Sequence, residues 1–271
     1  MNNDQSRQVL SEMLAAQEAG EPVVLATVIR ARGSVPRQSG AKMLVYGDGR
    51  ISGTIGGGEM ESRVIQEAQA ALADGQTRIV PYALVDPKRG DPGVCGGEVD
   101  VYLEPYSPPA TVLVIGCGHV GKAVASLAHW LDYRVIVTDD REELASPENI
   151  PEANIYLPGE IDDVLEQLSI HENTHIVLLT RNVMLDRQIL PRLANSPASY
   201  IGVIGSRRRW QETRKLLLDD GISEADLQRY HSPVGLELNA ETPEEIAVSI
   251  MAEIIMLRQG GTGDRMGEQG N

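Results

Sequence analysis

The feature that most constrains the fold is a glycine-rich turn joining a predicted buried strand over 111–116 to a predicted helix over 119–131. In such a turn the first glycine permits a sharp bend, the second lets a pyrophosphate approach the backbone, and the third allows close helix–strand packing. Free N–H groups at the helix N-terminus attract phosphate. The pattern therefore predicts a site for a nucleotide or another phosphorylated cofactor. Its residues are Gly116, Cys117, Gly118, His119, Val120 and Gly121.

The chain after this turn alternates strands with helices. Strands are predicted over 134–139, 175–180 and 200–205, and helices over 161–168 and 184–194. Strands that alternate with helices are typical of a parallel, doubly wound sheet. The second half of the chain is therefore predicted to be a Rossmann-like α/β domain.

Asp139 ends the second predicted strand of this half. A carboxylate there accepts a hydrogen bond from a ribose 2′-hydroxyl, which favours NAD over the 2′-phosphorylated NADP. Asp140 is a nearby alternative for this contact. A second interpretation of the turn stays open, in which the glycines serve packing in a Rossmann-like fold that binds no dinucleotide. His119 is either a phosphate contact or a polar residue that starts the helix.

The first half predicts a smaller α/β domain of a different kind. A helix is predicted over 6–19, and a second helix follows Gly58 and stops at Gly75. Strands are predicted over 23–29, 42–46, 50–55, 78–84 and 98–103.

The domain boundaries follow from composition. We expect a first domain over 1–105 and a proline-rich linker over 106–110. A second domain is expected over 111–259, and its last helix begins at a capping box over 242–245. The glycine-rich, polar stretch 260–271 is expected to be a disordered tail.

A second glycine run, Gly56-Gly57-Gly58, joins a strand to a helix in the first domain. Successive backbone N–H groups in such a run form an anion-binding concavity. The run lacks the Lys and Ser/Thr of a phosphate-binding P-loop, so it gives no support to ATPase activity. Glu59 and Glu61 are interpreted as acids that complement the helix dipole.

The chain has two cysteines, each among glycines. Cys117 is either a thiol whose pKa is lowered by the helix N-terminus or a small residue tolerated in a tight loop. Cys95, followed by Gly96 and Gly97, is either a buried structural cysteine or a thiol that its glycine neighbours expose. Two cysteines do not make a disulfide framework, and no His/Cys cluster has zinc spacing.

Composition excludes some classes of function. A formal net charge of −15 argues against binding to nucleic acid or to an anionic membrane surface. No run approaches the roughly 20 apolar residues that span a bilayer, and the N-terminus lacks a signal-peptide pattern. We therefore expect a cytoplasmic, globular protein, in which Arg207-Arg208-Arg209 is a candidate local anion site.

Ordered motifs in both halves resemble the XdhC/CoxI family, accessory factors for molybdenum hydroxylases such as xanthine dehydrogenase. In the first half these motifs lie at 32–37, 40–43, 53–58 with Glu61, and 95–97. In the second half they lie at 114–121, 200–208, 233–236 and 240–247. Several motifs in order across nearly the whole chain are far more specific than one glycine pattern.

The resemblance implies a two-domain homodimer that is a maturation factor rather than a catalyst. Such a protein binds the molybdenum cofactor, protects it while its sulfido ligand is installed, and passes it to an apo-hydroxylase. A cysteine desulfurase is a second implied partner. Molybdopterin, alone or as a dinucleotide, carries phosphate that suits a glycine loop at a helix N-terminus.

Individual residues take roles from this resemblance. Cys95 is a candidate soft ligand of molybdenum or a sulfur relay, since thiolates suit thiophilic centres. Arg207 and Arg208, beside Gly205 and Ser206, are candidates for bidentate phosphate contacts.

The chain departs from the family pattern at two places. Some members carry a cysteine within the first glycine loop, where this chain has Gly56-Gly57-Gly58-Glu59, and some carry histidines where it has Arg181-Asn182-Val183. Two other functions stay open. One is an NAD-dependent oxidoreductase, and the other is a docking protein whose nucleotide site is vestigial.

Overall fold

The computed structural model describes residues 3–83 and 97–268. The chain divides between Pro108 and Pro109 into two compact units, each with its own hydrophobic core. Cys95 and Gly96 lie outside the described residues. Within the described ranges, none of the helices has the length and apolar character needed to cross a membrane.

The described part of the first unit contains two helices and five strands. They are α1 (Asn3–Glu18), β1 (Val23–Arg32), β2 (Lys42–Tyr46), β3 (Ile51–Gly53), α2 (Gly58–Asp74), β4 (Arg78–Ala83) and β5 (Glu98–Tyr106). The strands form one antiparallel sheet in the order β3-β2-β1-β5-β4. The predicted elements are present, and the main differences lie at their ends. β5 reaches Tyr106 because that residue still pairs with Val23.

Each face of this sheet packs against one helix. Val24 and Ala26 of β1 lie in a core with Val64 of α2. The alternate residue Leu25 packs in a separate cluster with Val9 of α1. Successive side chains of a strand point to opposite faces, so a strand covered on both sides has an unbroken apolar sequence. This explains the sequence of β1.

The second unit begins at Pro109, and its sheet has six strands in the residues that the structure describes. Its elements are β6 (Thr111–Ile115), α3 (His119–Trp130), β7 (Arg134–Thr138), β8 (Ile155–Tyr156), α4 (Ile161–Gln167), β9 (Thr174–Leu178), α5 (Val183–Leu193), β10 (Tyr200–Val203), α6 (Arg207–Asp219), α7 (Glu224–Leu227), β11 (Tyr230–His231) and α8 (Pro243–Gln259). A 3-10 turn follows at Met266–Glu268.

These six strands are parallel and lie in the order β11-β10-β9-β6-β7-β8. Counted from β6, this order is 6-5-4-1-2-3, which is that of dinucleotide-binding Rossmann domains. The predicted doubly wound parallel sheet is confirmed. The helices divide between the two faces, with α3 and α8 on one side and α5 and α6 on the other.

The strand order creates a switch point beside β6. The chain leaves β6 toward β7 and β8 on one side and returns through α4 to β9 on the other. Loops that follow parallel strands emerge at the same edge of a sheet, and ligands of open α/β sheets bind where the order reverses. The loops after β6, β7 and β9 therefore define the place where a ligand site is expected.

Candidate functional site

The glycine turn after β6 has the backbone geometry that its sequence predicts. Gly116 has a φ of +108°, and a Cβ there would lie 2.5 Å from the carbonyl oxygen of Leu179. A Cβ at Gly121 would collide with the carbonyl oxygen of Gly116, so the helix approaches the strand too closely for any side chain. A Cβ at Gly118 would instead project into open space. The first and third glycines thus serve the turn and the packing, and the second leaves the backbone accessible.

The N-terminus of α3 is open to a ligand. Gly118 is its N-cap, and no described side chain caps the N–H groups of the first turn. His119 is exposed there, whereas Val120 is partly buried against the core. Uncapped N–H groups at a helix N-terminus form a favourable position for phosphate.

Cys117 does not face this opening. Its side chain is buried, and its thiol donates a hydrogen bond to the carbonyl oxygen of Thr138 at 3.4 Å. Burial, followed by the nearby charge of Asp139, raises the pKa of the thiol to about 12. Of the two interpretations of Cys117, the thiol of lowered pKa is wrong, because the side chain is buried in the core behind the turn.

Asp139 lies at the end of β7 as predicted, but its carboxylate is fully engaged within the chain. Oδ2 accepts hydrogen bonds from the backbone N of Cys117 at 2.7 Å and from Nη2 of Arg141 at 3.0 Å. Oδ1 accepts from the backbone N and from Nε of Arg141 at 3.0 and 2.8 Å. A carboxylate offers about four lone-pair positions. A ribose hydroxyl could reach this group only by replacing Arg141.

Asp140 is paired with Arg181 from the loop after β9. The two nitrogens Nη1 and Nη2 of Arg181 donate to the two carboxylate oxygens at 2.7 and 2.6 Å. This pairing holds the pKa of Asp140 low, at about 2. Because β6 lies between β7 and β9, the ion pair spans the carboxyl end of β6.

A small cavity lies at the same switch point. Its volume is about 40 Å³, and it is partly open to solvent; this is room for roughly three water molecules. Its lining includes Gly116, the charged groups of Asp139, Asp140, Arg141 and Arg181, and apolar side chains of α4 and α5. These apolar residues are Ile161, Leu185 and Ile189.

The loop after β10 places only part of the predicted anion site at the surface. Ser206 caps α6 by accepting a hydrogen bond from the backbone N of Arg209 at 3.2 Å. Gly205, with a φ of +147°, lies under the Arg209 side chain. Arg207 and Arg208 are exposed in the first turn of α6 and make no ion pair with any described residue. Two cations at a helix N-terminus oppose its dipole, and an anionic ligand would relieve this.

Arg209 has a structural role that the sequence did not reveal. It pairs with the buried carboxylate of Asp186 at 2.7 Å and donates to the hydroxyl of Thr180 at 2.8 Å. Thr180 in turn donates to Asp186. This cluster fixes α5, α6 and the loop that carries Arg181.

The backbone around the glycine run of the first unit donates hydrogen bonds to the carboxylate of Glu61 in α2. Oε1 of Glu61 accepts hydrogen bonds from the hydroxyl of Thr54 at 2.6 Å and from the backbone N atoms of Ile55 and Gly56 at 3.1 and 3.3 Å. Burial raises the pKa of Glu61, but these bonds together with one from the backbone of Gly57 outweigh it and keep the pKa below its usual value. The interpretation of Glu61 as a dipole partner only is therefore too limited. All three glycines, 56 to 58, have positive φ.

Of the predicted site residues at 95–97, the structure describes Gly97. Gly97 is buried, and a Cβ there would collide with the backbone oxygens of Arg32 and Ser34. It therefore packs under the loop that carries the first family motif. Within the ranges that the structure describes, no three His, Cys, Asp or Glu side chains gather as metal ligands.

These features define a class of protein, one that joins an antiparallel-sheet domain to a Rossmann-type domain. Residues 112–254 match the family model described as the XdhC Rossmann domain, and residues 16–83 match that of the XdhC and CoxI family. The chain belongs to the XdhC/CoxI family. The resemblance found in the sequence is confirmed.

Similar proteins align with both units. The chain is 34% identical over 262 residues to the uncharacterized protein YqeB of Escherichia coli K12, in an alignment that covers 95% of the chain and 48% of YqeB. The chain thus spans about half the length of that relative. It is 26% identical over 323 residues to a probable xanthine dehydrogenase subunit of Bacillus subtilis, with 90% and 96% of the two chains covered.

A third relative has a described role. The chain is 23% identical over 287 residues to the molybdenum cofactor insertion chaperone PaoD of Escherichia coli K12, with 94% of the chain and 89% of PaoD covered. Among solved structures, one described as a xanthine dehydrogenase from Bacillus halodurans matches with a TM-score of 0.51 and 24% identity. That alignment covers 95% of this chain and 97% of the other, and it supports the fold.

Proposed function

We propose that the protein binds the molybdenum cofactor, protects it during sulfuration, and delivers it to a molybdenum hydroxylase of the xanthine dehydrogenase type. The observation that carries this proposal is the similarity to PaoD, which extends over most of both chains. Because the similarity covers both units, it includes the family-specific first domain and does not depend on the widespread Rossmann fold alone.

The second unit offers groups that fit the phosphate of the cofactor. The uncapped N-terminus of α3 and the accessible backbone at Gly118 suit an anion. Arg207 and Arg208 carry positive charge that no described residue neutralises. The glycine run of the first unit fits less simply, since a phosphate there would have to displace Glu61.

Cys95 is the residue that we propose as a soft ligand or sulfur relay near molybdenum. The supporting argument comes from the family motif at 95–97 and from the chemistry of thiolates. Cys117 is poorly suited to this role because its thiol is buried and its pKa is raised to about 12. The bound cofactor would supply the molybdenum centre whose sulfido ligand is installed.

A matched pair of cysteine variants tests this assignment. The protein is loaded with purified molybdenum cofactor, and the molybdenum retained per chain and the activity restored to an apo-hydroxylase are measured. We expect Cys95→Ala to lower both and Cys117→Ala to leave both unchanged in a folded protein. Equal retention and transfer by the wild type and Cys95→Ala would remove Cys95 from the mechanism.

The strand order and glycine turn favour a second candidate function, an NAD-dependent oxidoreductase. Calorimetric titration with NAD and with the molybdenum cofactor in parallel separates the two. Tight NAD binding with substrate turnover, without cofactor binding, would support the oxidoreductase. A stable complex with an apo-hydroxylase but no bound nucleotide would support a docking protein.

We further propose that the chain acts in the cytoplasm as a homodimer. Its partners would be the apo-hydroxylase that receives the cofactor and a cysteine desulfurase that supplies sulfur. These assignments extend the maturation role proposed above, and size measurement in solution tests the dimer.

A further inference from the structure

We infer that the face of the second unit formed by α3 and α8 is the surface on which two copies of this chain associate. The two helices run in the same direction. Their first turns line one groove that is open to solvent, and Arg258, near the end of α8, lies over the ring of Tyr133, just after α3. The inference rests on the homodimer proposed above and assigns its surface.

This face exposes large apolar side chains. Trp130, at the end of α3, is 78% exposed, and Val248 of α8 is 50% exposed. Leu127 contributes to the groove between the two helices. Lys122, Ser126 and Trp130 are spaced four residues apart, so they form one stripe along α3. Tryptophan is enriched at protein interfaces and among the residues that contribute most to their affinity.

Two charges on this face identify the occupant as a second copy of the chain. Lys122 is exposed in the first turn of α3, and Glu244 is exposed in the first turn of α8. Neither forms an ion pair with any residue that the structure describes. One side of the groove is therefore positive and the other negative at the same end. A partner that carries the reverse arrangement would neutralise both charges.

A two-fold axis parallel to the helices produces that reverse arrangement. Such an axis exchanges the positions of α3 and α8, so that α3 of one copy faces α8 of the other. Lys122 then faces Glu244 of the other copy, and the contact occurs twice because a two-fold interface is self-complementary. An axis perpendicular to the helices would instead pack α3 on α3 and would not bring the two charges together.

Analytical ultracentrifugation of charge-reversed variants tests this arrangement. Lys122→Glu creates two negative pairs across the interface, and Glu244→Lys creates two positive ones. We expect each variant to raise the dissociation constant of the dimer at least about 10-fold. The matched controls are Lys215→Glu in α6 and Glu166→Lys in α4, exposed positions on helices that pack on the opposite face of the sheet. We expect the controls to leave the dimer unchanged.

An equimolar mixture of Lys122→Glu and Glu244→Lys separates a contact between copies from an effect within one chain. In the mixed dimer each reversed residue faces a residue of opposite charge, so both pairs are attractive again. We expect the mixture to form a heterodimer at concentrations where each variant alone is a monomer. Melting temperatures establish that the variants are folded.

Three outcomes would overturn the inference. A wild-type chain that stays monomeric would overturn it together with the proposed homodimer. A wild-type dimer that both variants leave as stable as the controls do would overturn only the surface assigned here. Variants that are monomeric alone and stay monomeric when mixed would show that Lys122 and Glu244 do not face each other across the interface.

Discussion

At the scale of single residues, each glycine turn has backbone N–H groups that already bond to a carboxylate of the chain itself. Glu61 accepts the backbone N–H groups of the first turn, and Asp139 accepts that of Cys117 in the second. The sequence predicts anion-binding turns, and in both the backbone does hold a carboxylate oxygen. A carboxylate that recognises a ligand and one that fills its place have the same chemistry, so sequence alone does not distinguish them.

The ion pair between the buried Asp186 and the partly exposed Arg209 shows a second limit of sequence analysis. Taken alone, the sequence indicates an ordinary acid at a helix N-terminus for Asp186 and an exposed basic run that includes Arg209. Their contact depends on which faces of α5 and α6 meet, and helical spacing within one helix does not contain that information.

His175 provides a prediction about pH. The residue is buried beside Tyr133, and its Nδ1 lies 3.0 Å from the hydroxyl oxygen of Ser199. Burial, and then the charge of Arg258, lowers the pKa of His175 to about 4. Between pH 6.5 and 4 the unfolded chain therefore binds a proton that the folded chain excludes, and stability falls as pH falls. Below pH 4 the free energy of unfolding is expected to be lower by about 3 kcal/mol from this residue.

His175→Gln is expected to remove this part of the pH dependence of the free energy of unfolding. Urea unfolding followed by tryptophan fluorescence measures the free energy of unfolding of the second unit, which contains His175, since Trp130 and Trp210 both lie after Pro109. His129→Gln, at an exposed position of α3, is the control that keeps the wild-type slope. A wild-type slope in His175→Gln would contradict the prediction.

At the scale of helices and strands, the sequence predicts an element correctly where it contains every residue of a known local motif. The capping box of α8 forms as predicted, with Thr242 and Glu245 exchanging hydrogen bonds. The strands β8 and β11 escape prediction because each has two residues, too few to show a period of two. The predicted strand over 50–55 is limited to Ile51–Gly53, and the bonds to Glu61 shape the residues that follow.

The turn between β6 and α3 separates packing glycines from a binding glycine. Gly121→Ala places a methyl group against the carbonyl of Gly116 and is expected to destabilise the second unit by about 1–3 kcal/mol. Gly118→Ala projects into open space, so we expect little change in stability but weaker pyrophosphate binding. Urea unfolding and calorimetry measure the two effects.

The two glycine variants serve as controls for each other. If Gly118→Ala were as destabilising as Gly121→Ala, Gly118 would be a packing residue too. If Gly118→Ala bound pyrophosphate as tightly as the wild type, the anion would not lie over this turn.

At the scale of the whole molecule, the order of motifs along the chain carries more information than any single one. The glycine turn alone indicates a Rossmann-type strand and helix, which many unrelated functions share. Motifs in both halves indicate the XdhC/CoxI family, which the family models confirm. What the protein binds is not predictable to the same degree, because the charges around the switch point pair with one another only in the folded chain.

The proposed role as a molybdenum cofactor chaperone concerns the intact chain. Its two units contribute different chemistry, with an open phosphate position in the second and the family motif of Cys95 in the first. A tightly held cofactor would remain bound during purification. The small molecule that accompanies the protein therefore reports directly on its function.

Mass spectrometry of that small molecule is the most direct test. The intact protein is purified from cells that synthesise molybdenum cofactor, and its ligand is released and quantified together with molybdenum. The proposed chaperone function predicts molybdopterin or its dinucleotide form in the wild type, with less retained by Cys95→Ala than by Cys117→Ala. Recovery of NAD without any pterin, or of no ligand from a protein that also fails to bind added cofactor, would contradict it.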